Sequence, residues 1–167
     1  MEKTIGIPNY FNGCQLSDGS LVSVQITDTS GQERYRSLSQ EYYRKADCCL
    51  LVYDVSNRKT FEECTDYYAK EIKERCKKNV KVILLGNKTD LKRNVSSEEG
   101  AKCALKNKYM FMETSCIKNK NVADAFQTLI ETTNMEAKKN KENQIERSAS
   151  RIVLTTDEHK KRKKKKC

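Results

Sequence analysis

The sequence predicts an α/β domain whose sheet is mixed and mostly parallel, with helices on both faces, entered through an antiparallel hairpin. Two observations carry this. Leu21 to Thr27 alternates apolar and polar residues directly after a turn signal, and three short continuous apolar runs then alternate with helix-length segments. An alternating strand suits a sheet with one solvated face, whereas continuous apolar runs separated by helices suit parallel strands covered on both faces.

The elements follow in order. Tyr10 to Leu16 reads as a strand, and Ser17-Asp18-Gly19-Ser20 as a hairpin turn, because Asp-Gly tolerates positive φ. In Leu21 to Thr27, Val22, Val24 and Ile26 share one face, and Ser23, Gln25 and Thr27 the other. Cys48 to Tyr53, Val80 to Leu85 (broken by Lys81) and Tyr109 to Met112 are the apolar strands. Helices are expected over Lys59 to Cys76, Ser97 to Lys106 and Val122 to Met135. Ser96, three residues before Glu99, is a capping-box signature. Ala125, Leu129 and Thr132 or Thr133, helped by Phe126 and Ile130, give the last helix a core face. After Met135 the periodicity fades, apart from Ile152-Val153-Leu154. Residues 1–136 are therefore expected to form the domain and residues 137–167 a flexible polybasic tail.

Charge is divided unevenly between these parts. The chain has 167 residues and a net charge of +10. Ala137 to Cys167 holds twelve Lys or Arg and four Asp or Glu, hence +8, which leaves +2 for the first 136 residues. The high isoelectric point belongs to the tail and gives no support to a nucleic-acid-binding face on the domain, so no nucleic-acid partner is expected. The eight cysteines include no Cys-x-x-Cys pair, and His159 lies in the tail, which suits reduced thiols better than a metal centre. Met1 to Tyr10 lacks the apolar run of a signal peptide, and no apolar run is long enough to span a bilayer.

Three segments carry chemistry, each after a predicted strand, where ligands sit in open α/β sheets. The first is Asp28-Thr29-Ser30-Gly31-Gln32-Glu33. Asp28 can hold Mg²⁺ through water, Gly31 lets a backbone N–H approach a γ-phosphate, and Gln32 can orient an attacking water. Alone, the segment also suits a strand-terminating turn. The second is Gly86-Asn87-Lys88-Thr89-Asp90. Asp90 can accept from the N1–H and 2-amino groups of guanine, whereas adenine lacks the 2-amino donor. Asn87 can hold the loop and meet the base edge, and Lys88 can lay its stem over the base. Alone, this is ordinary turn composition. The third is Glu113-Thr114-Ser115-Cys116, whose backbone N–H groups can meet the guanine oxygen while Ser115 braces Asp90. Their shared order and placement leave little room for three unrelated turns.

With these motifs the sequence resembles the Ras-like small GTPases, and within them the Rab proteins, from Thr4 to about Met135. Rab-like character lies in Arg34-Tyr35-Arg36-Ser37-Leu38, Tyr42-Tyr43-Arg44 and Leu51-Val52-Tyr53-Asp54-Val55-Ser56. The resemblance implies a Ras-like G domain that binds GTP or GDP with Mg²⁺. Thr4, in Thr4-Ile5-Gly6, would ligate the metal together with Asp28. Gln32 would be the catalytic residue of a GTP hydrolase, and Thr29, Ser30, Gly31, Gln32, Asn87, Lys88, Asp90, Ser115, Cys116 and Ile117 would complete the nucleotide site. It further implies effector and exchange-factor partners and a role in vesicle traffic.

The sequence departs from the family in several places. The family's P-loop precedes switch I, but only Met1, Glu2 and Lys3 precede Thr4, and no Gly-Lys-Ser or Gly-Lys-Thr occurs. That loop supplies the lysine for the β- and γ-phosphates and a metal-ligating hydroxyl. The expectation is a G domain missing its first strand and first helix, with weak nucleotide affinity and negligible hydrolysis. The lost strand would be central, unpairing both neighbours unless they pair with each other. A truncated fragment is preferred to a degenerate relative, because Gln32, Asn87 and Asp90 are intact. The degenerate alternative is a non-catalytic binding module. At the family's aromatic effector triad stand Asn9, Thr27 and Tyr42. Pro8 interrupts the early strand, and Lys45 replaces a glycine. Cys116 replaces an alanine whose backbone does the work, and Ile117 replaces a lysine, with some loss of base contact.

Lys160 to Lys166 is a run of seven basic residues ending at Cys167. Cys167 suggests prenylation, although the match to a CaaX box or a two-cysteine tail is imperfect. One lipid chain binds marginally, and each basic residue near an anionic leaflet adds about 1 kcal/mol, so the run can supply the second signal. A solvated tail, a nuclear-import signal or an RNA-binding patch is the alternative. The expected location is the cytoplasmic face of a membrane, otherwise the cytosol.

Overall fold

The computed structural model describes residues 9–29 and 36–142. The hairpin forms as its turn chemistry requires. β1 (Asn9–Gln15) and β2 (Leu21–Thr27) pair antiparallel from Asn9↔Thr27 to Gln15↔Leu21. Gly19 adopts φ +81°, a conformation that costs glycine little, and its N–H donates to the Leu16 carbonyl at 2.9 Å. The Asp18 carboxylate accepts from the backbone N–H of Ser20 at 3.0 Å and from its hydroxyl at 2.5 Å. Val22, Val24 and Ile26 are half-buried, while Leu21, Ser23 and Gln25 are exposed.

The helix α1 (Arg36–Lys45) has no counterpart in the sequence reading. It offers no acidic first turn. Local electrostatics support it instead. Lys45 pairs with Glu41 one turn earlier at 2.6 Å, and Arg44 and Lys45 place positive charge at the C-terminal end of the helix dipole. Tyr43 is half-buried beside Tyr67, Tyr68 and Glu71, and burial raises its phenol well above the ordinary range.

The parallel sheet contains β3 (Cys48–Asp54), β4 (Lys81–Asn87) and β5 (Met110–Glu113), in that order. The register runs from Cys48↔Lys81 to Asp54↔Asn87 and from Ile83↔Met110 to Gly86↔Glu113. Each strand continues past its apolar run into one or two further residues. Those extra residues place Asp54 beside Asn87, and Gly86 beside Glu113, at the carboxyl edge of the sheet.

Alternation along the strands fills two cores. Leu51, Tyr53, Val82 and Leu84 face one side with Phe61 and Ile72. Ile83 and Leu85 face the other, with Leu50 and Met112 packed alongside and Ala125 and Leu129 covering them. The mostly parallel, doubly covered sheet is therefore present. The direct pairing that would close the sheet is not: among the described residues β1–β2 and β3–β4–β5 are separate sheets, with no ladder between β2 and β3. The hairpin is held instead by α5 (122–142), whose Gln127 accepts from the Cys14 thiol at 3.3 Å and donates to the Gln15 carbonyl at 3.1 Å. Glu131 accepts from the Ser17 N–H at 3.0 Å.

Helix boundaries differ from the sequence reading in two places. One helix was expected over Lys59 to Cys76, but α2 (Arg58–Glu62) and α3 (Ala69–Arg75) are joined by a π-helical stretch, Glu63–Tyr68. There the Thr65 hydroxyl donates to the Glu62 carbonyl at 3.1 Å, competing with the backbone ladder. α5 also continues past Met135 to residue 142. Its last turns, Glu136 to Glu142, are mostly good helix formers, so propensity extends the helix after the apolar stripe ends. Residues 122–131 belong to the compact unit holding both sheets, and residues 132–142, in a second unit, are helical.

α4 (Ser97–Asn107) carries the capping box: Ser96 Oγ accepts from the Glu99 N–H at 3.2 Å, and the Glu99 carboxylate accepts from the Ser96 N–H at 3.1 Å. Arg58 grips that same carboxylate at 2.8 Å and donates to the Asn94 carbonyl at 3.0 Å, tying α2 to the loop before α4.

Candidate functional site

Polar side chains converge at the carboxyl ends of β3, β4 and β5. Asn87 ends β4, and its side-chain oxygen accepts from the Thr114 hydroxyl at 3.2 Å and from the Cys116 thiol at 3.5 Å. Thr114 is buried just after β5, and its N–H donates to the Gly86 carbonyl at 2.8 Å. Its own carbonyl accepts from the Thr89 N–H at 3.2 Å and the Thr89 hydroxyl at 3.1 Å. Backbone and side-chain bonds thus lock the Asn87–Asp90 loop against the Thr114–Cys116 loop.

Asp90 lies on the surface of this lock. The fully buried Ser115 donates its hydroxyl to Asp90 Oδ1 at 2.5 Å, and this bond is the main reason the carboxyl is held below the usual carboxylate range. Ser115 Oγ also accepts from the Lys118 N–H at 3.2 Å, and Ser115 and Lys120 form an isolated antiparallel bridge. Asn121 donates to the Glu113 carbonyl at 2.9 Å, closing the second loop. Asp90 is therefore an ionised, positioned acceptor. Cys116 and Ile117 are exposed on the same loop, Ile117 at 86%.

Lys88 takes an arrangement that the sequence did not indicate. It sits at φ +65°, and its ammonium donates to Asp54 Oδ2 at 2.5 Å. Asp54 also accepts from the Ser56 N–H at 2.8 Å and hydroxyl at 2.6 Å. Burial pushes the Asp54 carboxyl up, but the bonds from Lys88 and Ser56 outweigh it and leave the carboxyl below its ordinary range. Asp54 is a residue of this edge that no sequence motif marks. Its signal was positional: it ends β3 directly beside Asn87 in the ladder.

The carboxyl edge of the sheet thus brings together Asn87, Lys88, Asp90, Ser115, Cys116 and Ile117. Asp28 and Thr29 follow β2 and are exposed. Thr4, Ser30, Gly31, Gln32 and Cys167 lie outside the described residues.

The family model for the Ras family matches residues 1–135. Ras-related protein RABA1b of Arabidopsis thaliana is 48% identical over 111 residues, covering 65% of this chain and 51% of the relative. Ras-related protein Rab-8A of Rattus norvegicus is 40% identical over 161 residues, covering 95% of this chain and 77% of the relative. The chain belongs to the Ras family, on its Rab branch. Ras-related protein Rab2BV of Beta vulgaris is 40% identical over 131 residues, 60% of its length. The chain thus spans only about half of the RABA1b relative.

In this Rab-family chain the described donors and acceptors fit a guanine base. Asp90 offers a charged acceptor, and the Ser115–Ile117 backbone borders the same edge. Among the described residues no group of three or more His, Cys, Asp or Glu could hold a metal ion. Mg²⁺ bound to a nucleotide takes one or two protein oxygens and completes its shell with phosphates and water, so a strand-end carboxylate such as Asp28 has suitable ligand chemistry. No described helix is long and apolar enough to cross a membrane.

Proposed function

We propose that the chain is a Rab-type GTP/GDP switch of vesicle traffic whose guanine-recognition half is the edge formed by Asn87–Asp90 and Thr114–Ile117. The observation that supports this most directly is Asp90, held ionised by Ser115 beside a loop locked through Asn87 and Thr114. Guanine supplies two donors to such a carboxylate and adenine cannot, so the test is a base comparison. Titrating GDP and ADP against the protein, followed by NMR shifts of the Asp90 and Ser115 amides, should show binding of GDP and little of ADP. Equal shifts with both would refute guanine recognition.

In this reading Thr4 and Asp28 serve Mg²⁺, Gly31 meets the γ-phosphate, and Gln32 orients the attacking water. Thr29 and Ser30 border the phosphates, and Mg²⁺ would supply charge neutralisation at the β- and γ-oxygens. The 167 residues contain no Gly-Lys-Ser or Gly-Lys-Thr. By themselves they should bind Mg·GTP weakly and hydrolyse it negligibly, and micromolar or tighter affinity by isothermal titration would overturn that expectation. The same observation supports a second reading, a non-catalytic pseudo-GTPase acting as a membrane-recruited binding module. Partner capture compared at saturating GTP and GDP separates the two: a difference between the nucleotides supports the switch, and equal capture supports the module.

We assign residues 1–136 to the G domain and 137–167 to a polybasic tail that anchors it at the cytoplasmic face of a membrane. Prenylated Cys167 and Lys160–Lys166 would act together there on anionic lipid, leaving effectors and exchange factors to the G domain. Cys167→Ser should release the protein from membranes, and unchanged pelleting with membranes would refute the anchor.

A further inference from the structure

Far from the carboxyl edge, two thiols meet at the opposite end of the sheet. Cys49 is the second residue of β3, opposite Val82 in the ladder. Cys76 caps the C-terminus of α3, its N–H donating to the Ile72 carbonyl at 3.0 Å. Both pack on the same face of the core, and each thiol is the strongest influence on the other's proton. The backbone around them is fastened. Lys77, next to Cys76, pairs with Asp47, two residues before Cys49, at 2.6 Å. The Lys77 carbonyl accepts from the Val80 N–H at 3.0 Å, and the Asp47 carbonyl accepts from the Lys81 N–H at 3.4 Å. Strand alternation puts the neighbouring Cys48 on the other face, against the second core.

We propose that Cys49 and Cys76 are a modification site: they form a reversible intrachain disulfide by exchange with a small anionic disulfide of the glutathione type. Cys76, at the end of α3 beside the exposed Lys77 and Lys78, is the attacking sulfur. Its C-cap position at the negative end of α3 disfavours a thiolate, whereas the neighbouring Cys49 thiol, acting against burial, favours one. Lys73, Lys77 and Lys78 lie close by in the chain and are exposed, which favours an anionic oxidant.

The exchange balances in two steps. The Cys76 thiolate attacks one sulfur of the glutathione disulfide. The S–S bond breaks, and one glutathione leaves as a thiolate that takes up the Cys76 proton. The Cys49 thiol then loses its proton, attacks the Cys76 sulfur of the mixed disulfide, and expels the second glutathione as a thiolate, which takes up that proton. Two protein thiols are oxidised to one disulfide, and one glutathione disulfide is reduced to two thiols. The new bond ties the start of β3 to the end of α3 and so restrains the π-helical stretch between them, leaving Asp54 and Asp90 at the far end of the sheet untouched.

The test uses the full 167-residue chain incubated with glutathione disulfide, followed by non-reducing peptide mapping and thermal unfolding. The expected result is a peptide pair joined through Cys49 and Cys76, with no retained glutathione. A higher melting midpoint should accompany it, and dithiothreitol should reverse the shift. Cys49→Ser should instead retain glutathione on Cys76, while Cys48→Ser should still form the linked pair. Stable glutathione on wild-type Cys76, or linkage through Cys48 or Cys103 instead, would overturn the proposal. The wild-type map decides the matter even if a serine variant fails to fold.

Discussion

Asp90→Asn exchanges a carboxylate with two acceptors for an amide with one acceptor and one donor group. Guanine offers donors at N1–H and at its 2-amino group, whereas xanthine carries an oxygen at position 2. The amide can accept from the N1–H of xanthine and donate to that oxygen, so the substitution should move preference from guanine to xanthine. Ser115 holds the carboxylate at 2.5 Å and keeps it ionised, so the wild-type contact is charged and positioned before the base arrives. A bidentate side-chain contact discriminates between bases by about 1–3 kcal/mol in general, which is roughly 5- to 150-fold in affinity. GDP binding should fall by a factor in that range, while binding of xanthosine diphosphate rises. Amide shift titrations of wild type and variant against both nucleotides measure this at millimolar ligand, which accommodates a weak phosphate site. GDP affinity unchanged within about twofold would sink the assignment of Asp90, and so would wild-type protein showing no GDP shifts at all.

Three further outcomes rest on other parts of the molecule. Among the described residues the buried Tyr53 hydroxyl has no hydrogen-bond partner, and burial pushes its pKa up to about 12. Tyr53→Phe should therefore stabilise the fold by about 1 kcal/mol in urea unfolding, and a loss of stability would indicate a hidden partner. Gly100→Ala pits helix propensity, worth about 1 kcal/mol in favour of alanine, against a new Cβ only 2.6 Å from the Phe111 ring and the Tyr53 hydroxyl. Overpacking costs about 1–3 kcal/mol, so a net loss is expected, readable as a lower urea midpoint. For Asp54, the folded pKa lies below the unfolded value of about 3.9, so the contribution of its bonds to Lys88 and Ser56 is present above that value and lost as pH falls through the folded pKa. Asp54→Asn should lower stability at neutral pH and flatten its decline below about pH 4 in urea unfolding.

What the sequence revealed depended on whether a residue's role is set locally. β2 matched its predicted range because strict alternation fixes both its span and its face. The Ser96 cap was equally legible, since both of its bonds lie within four residues. α1 was not, because an i,i+4 ion pair and burial of Tyr43 against a distant helix leave no apolar stripe to read. The strand ends were read short for the same reason: Asp54 and Asn87 look like turn residues until the neighbouring ladder holds them. In the site, the Asn87–Asp90 and Thr114–Cys116 loops could be placed from strand order alone. Their partners could not, since Lys88 reaches Asp54 across 34 positions of sequence.

The Lys88–Asp54 pair also says how the site must work if a base enters it. Lys88 stands at φ +65°, a left-handed conformation that a lysine adopts at some cost, and its side chain is the least exposed cation among the pairs around the site. Asp54 gains two bonds from Ser56 that do not involve Lys88, so releasing the lysine leaves the carboxylate partly satisfied rather than stranded. Lys88 can thus move from the carboxylate to a base face at modest cost, while Asp90 cannot leave Ser115 without losing the bond that positions it. Base selection therefore falls to Asp90, which is preorganised, and the stacking contact to Lys88, which must rearrange. If so, Lys88→Met should weaken GDP binding only slightly and leave the preference for guanine over adenine intact. A collapse of that preference would mean that the lysine, and not the braced carboxylate, reads the base.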